Sequence, residues 1–600
     1  MLSLRHSLAL ALLLTPGVSY TASPQARGTT LIRHVRVFDG ERVIGVRDVL
    51  VRDGRIAAVE STIAVPQGAD VVDGAGKTLL PGLIDAHTHV FGDALAQALA
   101  FGVTTELDMF TDPKLAAQMR AEQRAGNVAS RADLYSAGVL ATAPHGHGTE
   151  YGMAIPTIAA AESAQAFVDA RVAEGSDYIK IILDDGSTYG RTIPTVSTAT
   201  LRALVRAAHA RHKLAVVHVG TLADARAAID AGADGLMHLF LDREPDPEFG
   251  RFVAAHHAFV VPTLTVLRSV AGTPDGAALV SDARLSPYLS ATGQGSLLGT
   301  FRFARPMNYA AAEHAVQQLK AAHVPILAGT DAPNPGTAHG ISIHRELELL
   351  VAAGLTPTEA LVAGTSAPAR AFSLGDRGMI AAGRRADLLL VQGDPTTNIL
   401  ATRAIISVWK GGTLLDRAAV ASAVAAQRTA VATGTPLGMV SSFESGTPAA
   451  NYGFGWVVTT DQLAGGKSTA TMNVVGGGAA GTSKSLEVAG DIDAGLPYAW
   501  GGAMFMPGVR PMAAADFSKA KEIRFWAKGD GHTYHVMVFA ESRGRMPLMN
   551  AFVAGPEWTE IVMPISSFAG IDGHDVMGVA FTGGPEPGPF KFRIDEVRIQ

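Results

Sequence analysis

The sequence contains no cysteine. Disulfides, thiolate nucleophiles and zinc–thiolate centres are therefore excluded, and any metal site must use histidine, carboxylate or a rarer ligand. Charge is also scarce: 17% of residues are charged and 48% hydrophobic. The net charge is -6 with no basic block, which removes nucleic acid as an expected partner. Such a composition suits large cores and does not suit disorder. Long apolar runs are missing as well, so the mature chain is not expected to span a membrane. The apolar stretch from Leu8 to Leu14 follows Arg5 and His6 and precedes Pro16 and small residues. Residues 1–26 thus read as a secretory signal peptide, and the expected location is the periplasm or the exterior. With no cysteine there is no lipoprotein attachment site.

What is present divides the 600 residues into several regions, because one core does not grow that large. Residues 27–78 read as short strands with Asp-Gly turns, as in "DVLVRDGRIAAVE". Residues 376–415 have the same texture, and the two pieces are expected to pair into one composite β-sandwich. Between them, residues 79–375 alternate short apolar strands with Ala-rich helical stretches. Eight strand–helix units predict an α/β fold, a (β/α)8 TIM barrel with its chemistry at the C-terminal ends of the strands. Residues 416–440 read as helix and linker. Residues 441–600 read as a separate all-β sandwich, in whose last strand Phe590, Phe592 and Ile594 are expected inside and Lys591, Arg593 and Asp595 outside.

Polar residues end several of the barrel strands. His87 and His89 close the first, Lys180 lies in the fourth, His218 in the fifth, His238 in the sixth, and Asp331 ends the eighth. A lone strand histidine is ordinarily a hydrogen-bonded core residue. Four of them with an aspartate at one barrel mouth point to a metal site, suited to zinc, with manganese, cobalt or iron as alternatives. Lys180 is the odd member, since a buried ammonium costs several kcal/mol unless paired. One resolution is a salt bridge to Asp184, Asp185 or a neighbouring strand. The other is a carbamate, formed when the neutral amine adds CO2, whose two oxygens could bridge two metal ions.

"PGLIDAHTH", "DYIK", "VVHV", "LMHL" and "GTDAP" together resemble the metal-binding motifs of the amidohydrolase superfamily. The stretch from His339 to Pro395 resembles its C-terminal part, and the similarity runs over about 30–415. The lysine variant resembles the binuclear branch, with Xaa-Pro dipeptidases and ochratoxin-type amidases. The resemblance implies that His87, His89 and Asp331 hold a first divalent ion, and His218 and His238 a second. It implies that carboxylated Lys180 bridges them, that a metal-bridging hydroxide attacks the carbonyl, and that Asp331 passes the proton to the leaving amine. Where the Xaa-Pro dipeptidase pattern would follow the lysine, this chain has "TIPTVSTATL", so proline specificity is not carried over. The C-terminal region resembles the galactose-binding-like sandwich of complex-I intermediate-associated proteins. A glycan or protein contact through it, a purely stabilising role, and a homo-oligomer all stay open.

Substrate groups are sought in the loops after the strands. "TAPHGHGTEYG" offers His145, His147 and Tyr151, and "DDGSTYGR" offers Tyr189 and Arg191, for a carbonyl or carboxylate. His339 and His344 are expected to be structural, and His209, His212, His256 and His257 to sit at helix ends. The function expected is a secreted binuclear metal hydrolase cleaving the amide bond of a dipeptide or N-acyl amino acid. The alternatives are a lactonase, cyclic-amide hydrolase or phosphotriesterase on the same site, and, from another class, a catalytically silent metal-stabilised binding protein.

Overall fold

In the computed structural model, the described residues are 28–126, 129–149, 155–301, 303, 305–432, 437–461, 466–495, 498–508, 512–541, 547–568, 570–571 and 573–600. The leader at 1–26 and Tyr151 lie outside them. The chain forms two compact units: the first holds the described residues of 1–147 and 155–424, and the second those of 148–154 and 425–600, so that one division falls inside the helix Arg417–Ala432.

In the first unit, both flanks contribute to one eight-stranded sheet. Asp53 and Gly54 both have positive φ, 52° and 78°, and join Val43–Arg52 to Arg55–Glu60 in a tight hairpin whose twist suits that turn. The downstream strand Leu388–Gln392 pairs antiparallel with Lys77–Pro81, placing Leu390 opposite Leu79. Val37, Val49, Val51, Leu79, Leu388 and Trp409 share the resulting core, drawn from both ends of the insertion.

The insertion carries two parallel sheets. One holds Leu83–Thr88, Val103–Asp108 and Asp133–Ser136; the other holds Ile179–Leu183, Ala215–Val219, Gly235–Met237 and Phe259–Val261. Single bridges add to them: Ala141 to Ile181, Val260 to Ile326, and Thr88 to Ala332, all parallel. The eighth expected strand, "VPILAGTD", is thus no regular strand. Its pairing with the first strand is interrupted where Thr330 N–H donates to the Asp85 carboxylate in place of a backbone carbonyl, and where Asp331 stands at φ 59°. The segment still passes very close to the first strand. A Cβ on Gly329 would come within 2.9 Å of the His87 backbone and Cβ, so only glycine fits.

Helices between the strands bury one face. Thr198–Ala210 buries Leu201, Leu204, Val205 and Ala208, and the Ser197 hydroxyl accepts from Thr200 N–H to cap it. Large side chains such as Tyr178, Met237, Phe259 and Leu327 cluster with Ile84. A buried ionic group ties this region to the composite sheet. Asp133 lies 2.7 Å from both Lys410 Nζ and Arg377 Nη1, and 3.0 Å from Arg385.

The second unit consists of a six-stranded and a five-stranded antiparallel sheet whose shared core includes Trp456, Phe505, Phe525, Phe581 and Phe592. Phe590, Phe592 and Ile594 are buried as their alternation implies, but Asp595 is buried too. It accepts from Ala479 N–H at 2.8 Å and Thr482 Oγ1 at 2.5 Å, so a glycine-rich loop supplies the partners that alternation could not reveal. Among the described residues, no helix is long and apolar enough to cross a membrane.

Candidate metal centre

The strand Leu83–Thr88 pairs irregularly with its neighbour between Asp85 and Thr88, around His87. Such irregularities re-aim side chains at strand ends. His87 Nε2 lies 3.3 Å from Asp331 Oδ1, and His89 Nε2 lies 2.9 Å from the same oxygen. Lys180 Nζ stands 3.4 Å from His87 Nε2. The His87 and His238 rings are 4.6 Å apart between centroids, and His218 and His238 4.5 Å. Ligand atoms of His87, His238 and Asp331 all lie within 4.8 Å of one another. The structure therefore brings all six side chains into one contact network.

Burial dominates the electrostatics. It pushes the His87 and His238 imidazoles well below their ordinary value, helped by neighbouring cationic or titratable groups. It lowers His218 to about 4, against the opposing hydrogen bond to Asp184. It lowers Lys180 to about 7, with the Asp331 and Asp108 carboxylates resisting. Among the described residues no carboxylate forms a salt bridge with Lys180. Asp184, one of its candidate partners, faces His218 Nε2 instead, at 3.4 Å.

The cluster is electron-rich and short of protons. Asp331 Oδ1 and His87 Nδ1 are buried without a hydrogen-bond partner among the described residues. Neutral imidazole nitrogens packed around such an oxygen are poorly stabilised by one another and well stabilised by a cation between them. The donors are nitrogen and oxygen only, the set that suits zinc and related divalent ions. The residues fit a metal group.

Supporting contacts orient these donors. Asp85, which opens the His87 motif, accepts from Thr330 N–H at 3.0 Å and Thr330 Oγ1 at 2.7 Å, pinning the chain beside Asp331. Asp108 accepts from Val90 N–H at 2.7 Å and Ser136 Oγ at 2.5 Å; burial raises its carboxyl to about 6. Thr263 Oγ1 lies 2.7 Å from His238 Nδ1. The sequence reading gave no role to Asp85, Asp108 or Thr263. For Asp85 a signal was available, as an acid between an apolar run and the two histidines; Asp108 shares its strand with Glu106 and two threonines and did not stand out. Thr263 carried none.

The loop residues separate. The His147 ring lies 5.0 Å from that of His218, at the edge of the cluster. His145 is exposed. Tyr189 stacks on Phe303 at 4.8 Å, and the Arg191 guanidinium lies 5.5 Å from the same ring. His339 and His344 are buried, contacting Glu106 and the Phe101 carbonyl, both at 3.0 Å.

The sequence model described as the amidohydrolase family matches residues 78–415, and that of complex I intermediate-associated protein 30 matches 442–577. The dihydroorotase of Mycobacterium tuberculosis is 51% identical over 63 residues, 10% of this chain and 14% of that protein. The chain thus spans only about a seventh of the length of the dihydroorotases it matches. The imidazolonepropionase of Deinococcus radiodurans is 28% identical over 394 residues, 61% of this chain and 91% of that protein. Among solved structures, a Xaa-Pro dipeptidase with bound methionine aligns with a TM-score of 0.53 at 22% identity, covering 65% of this chain and 100% of its own. The ochratoxinase of A. niger aligns with a TM-score of 0.51 at 21% identity, covering 64% and 95%. These likenesses concern the fold.

Proposed function

Because the chain belongs to the amidohydrolase family, and so is a metal-dependent hydrolase acting on carbon–nitrogen bonds, we propose that it cleaves the amide bond of a small substrate, a dipeptide or an N-acyl amino acid, at the cluster around Asp331. The observation that carries this reading is the buried, unpartnered Asp331 Oδ1, shared between His87 and His89 and adjoining a lysine held near neutrality. His87, His89 and Asp331 would hold one divalent ion, zinc best suiting the donors, and His218 and His238 a second. Lys180 would bridge them as a carbamate, its neutral amine forming the N–C bond to CO2 and releasing one proton. The ions would supply a Lewis acid for the carbonyl and an acidified water. Asp331 would take up a proton at its carboxylate and return it to the leaving amine, general base and then general acid. His147, at the cluster's edge, would meet the substrate.

The hydrogen bonds from Ala86 N–H to the Ala328 carbonyl and from Leu327 N–H to the Val260 carbonyl, both 2.9 Å, support reading the parallel sheets as one closed (β/α)8 barrel with the cluster at its mouth. The leader-like start supports a periplasmic or secreted location.

A second reading keeps the site and changes the substrate to a cyclic amide. The sequence relatives named dihydroorotase and imidazolonepropionase favour it. One experiment tests both: zinc-loaded protein is assayed against dipeptides, N-acyl amino acids, cyclic amides and lactones, with Asp331→Asn as control. Turnover of linear amides supports the first reading, turnover of cyclic amides alone supports the second, and silence on every amide overturns both.

A further inference from the structure

We propose that Thr263 is a positioning residue that fixes the tautomer of His238, so that His238 turns its Nε2 lone pair towards the metal. The inference rests on the reading of the cluster as a metal centre.

His238 follows the strand Gly235–Met237 at φ 75°, with its own N–H donating to the Val261 carbonyl at 2.9 Å. Its ring nitrogen Nδ1 lies 2.7 Å from Thr263 Oγ1. The Thr263 hydroxyl has one proton, and the Pro262 carbonyl, 2.8 Å from Oγ1, is placed to accept it. Towards His238 the hydroxyl can then only accept, so Nδ1 carries the ring hydrogen. A ligating imidazole is neutral and has one ring hydrogen, which leaves the lone pair on Nε2. The other tautomer would set two lone pairs against each other at 2.7 Å in a buried place, or break the bond to Pro262.

The hydroxyl is aimed from a backbone that cannot easily turn. Thr263 has φ 51° and ψ 45°, a region unfavourable to a β-branched residue, and such strain persists only where the surroundings enforce it. They do so here. The next residues begin the helix Leu264–Val270, and the buried Glu346 carboxylate accepts from Leu264 N–H at 2.9 Å, Thr265 N–H at 2.8 Å and Thr265 Oγ1 at 2.7 Å. Glu346 thus anchors the helix start, the helix start holds Thr263, and Thr263 sets the ring. Outer partners that orient a metal-binding imidazole in this way typically change metal affinity 10–100-fold when removed.

The test uses the full chain with 15N-labelled histidine. Long-range 15N–1H spectra of the wild type, metal-free and zinc-loaded, are expected to show His238 protonated at Nδ1. Chelator competition is expected to show zinc affinity falling about 10–100-fold in Thr263→Val and staying near wild type in Thr263→Ser, which keeps the hydroxyl. Wild-type His238 protonated at Nε2 would overturn the proposal, as would undiminished zinc affinity in a folded Thr263→Val. Should valine fail to fold at φ 51°, the wild-type spectrum and Thr263→Ser decide, and a serine variant with an altered tautomer would equally overturn it. A wild type protonated at Nδ1 that takes up no zinc would defeat the metal reading while upholding the tautomer.

Discussion

His89 Nε2 stands 2.9 Å from Asp331 Oδ1, across 242 positions of sequence, yet the oxygen has no aligned hydrogen bond. Two groups that ligate one cation would converge in this way, each turning a lone pair to the ion. Replacing Asp331 with asparagine keeps its shape and removes its basicity. Asp331→Asn should lower kcat by about 10²–10⁴-fold while its circular dichroism and thermal transition stay those of the wild type. Near-normal kcat would refute the proton-transfer role.

Lys180 Nζ is buried 3.4 Å from His87 Nε2 and has no carboxylate salt bridge among the described residues. Lys180→Met fills the same space without an amine. Protein prepared with zinc and bicarbonate should lose bound metal in this variant, read by elemental analysis, and a 13C-bicarbonate NMR signal present in the wild type should vanish. Equal metal content in both proteins would remove the bridging role.

The two loop histidines should behave differently. His147 lies beside His218, and His147→Ala should reduce kcat/KM on any substrate the assay identifies. His145 faces solvent, and His145→Ala should leave kcat/KM unchanged. The reverse pattern would place His145, and not His147, against the substrate.

Asp133 is buried among Lys410, Arg377 and Arg385. Burial alone would raise its carboxyl, but the three cations hold it at about 2. Its folded value lies below its unfolded one, so its stabilisation is complete above the ordinary carboxylate range and disappears as pH falls through about 2. Asp133→Ala removes the carboxylate the three cations share, leaving Lys410 and Arg385 on Asp387 and Arg377 on Asp376, and should cost the first unit about 1–3 kcal/mol. Denaturant melts at neutral pH would measure the loss. The wild type's advantage over the variant should shrink between the unfolded value, about 3.9, and pH 2, and an advantage that grew on acidification would contradict the assignment.

The family was legible in the linear sequence, because the polar residues gathered around Asp331 leave short interruptions in apolar runs. "DAHTH", "DYIK" and "GTDAP" each show one. The absence of cysteine narrowed the donors before any fold was considered. What the chain could not announce was which polar residues support that cluster. Thr263 is an unremarkable threonine until a left-handed backbone aims its hydroxyl at His238. Asp184 is one of two adjacent aspartates, and only the fold turns it towards His218 and away from Lys180. Asp595 looked exposed by alternation and is buried by a loop more than 100 residues earlier in the chain. The sequence by itself determined which residue types were available and the periodicity that buries them, since both are local. Tertiary structure alone decided the partners, because a hydrogen bond depends on distances of about 3 Å between groups that the chain places far apart.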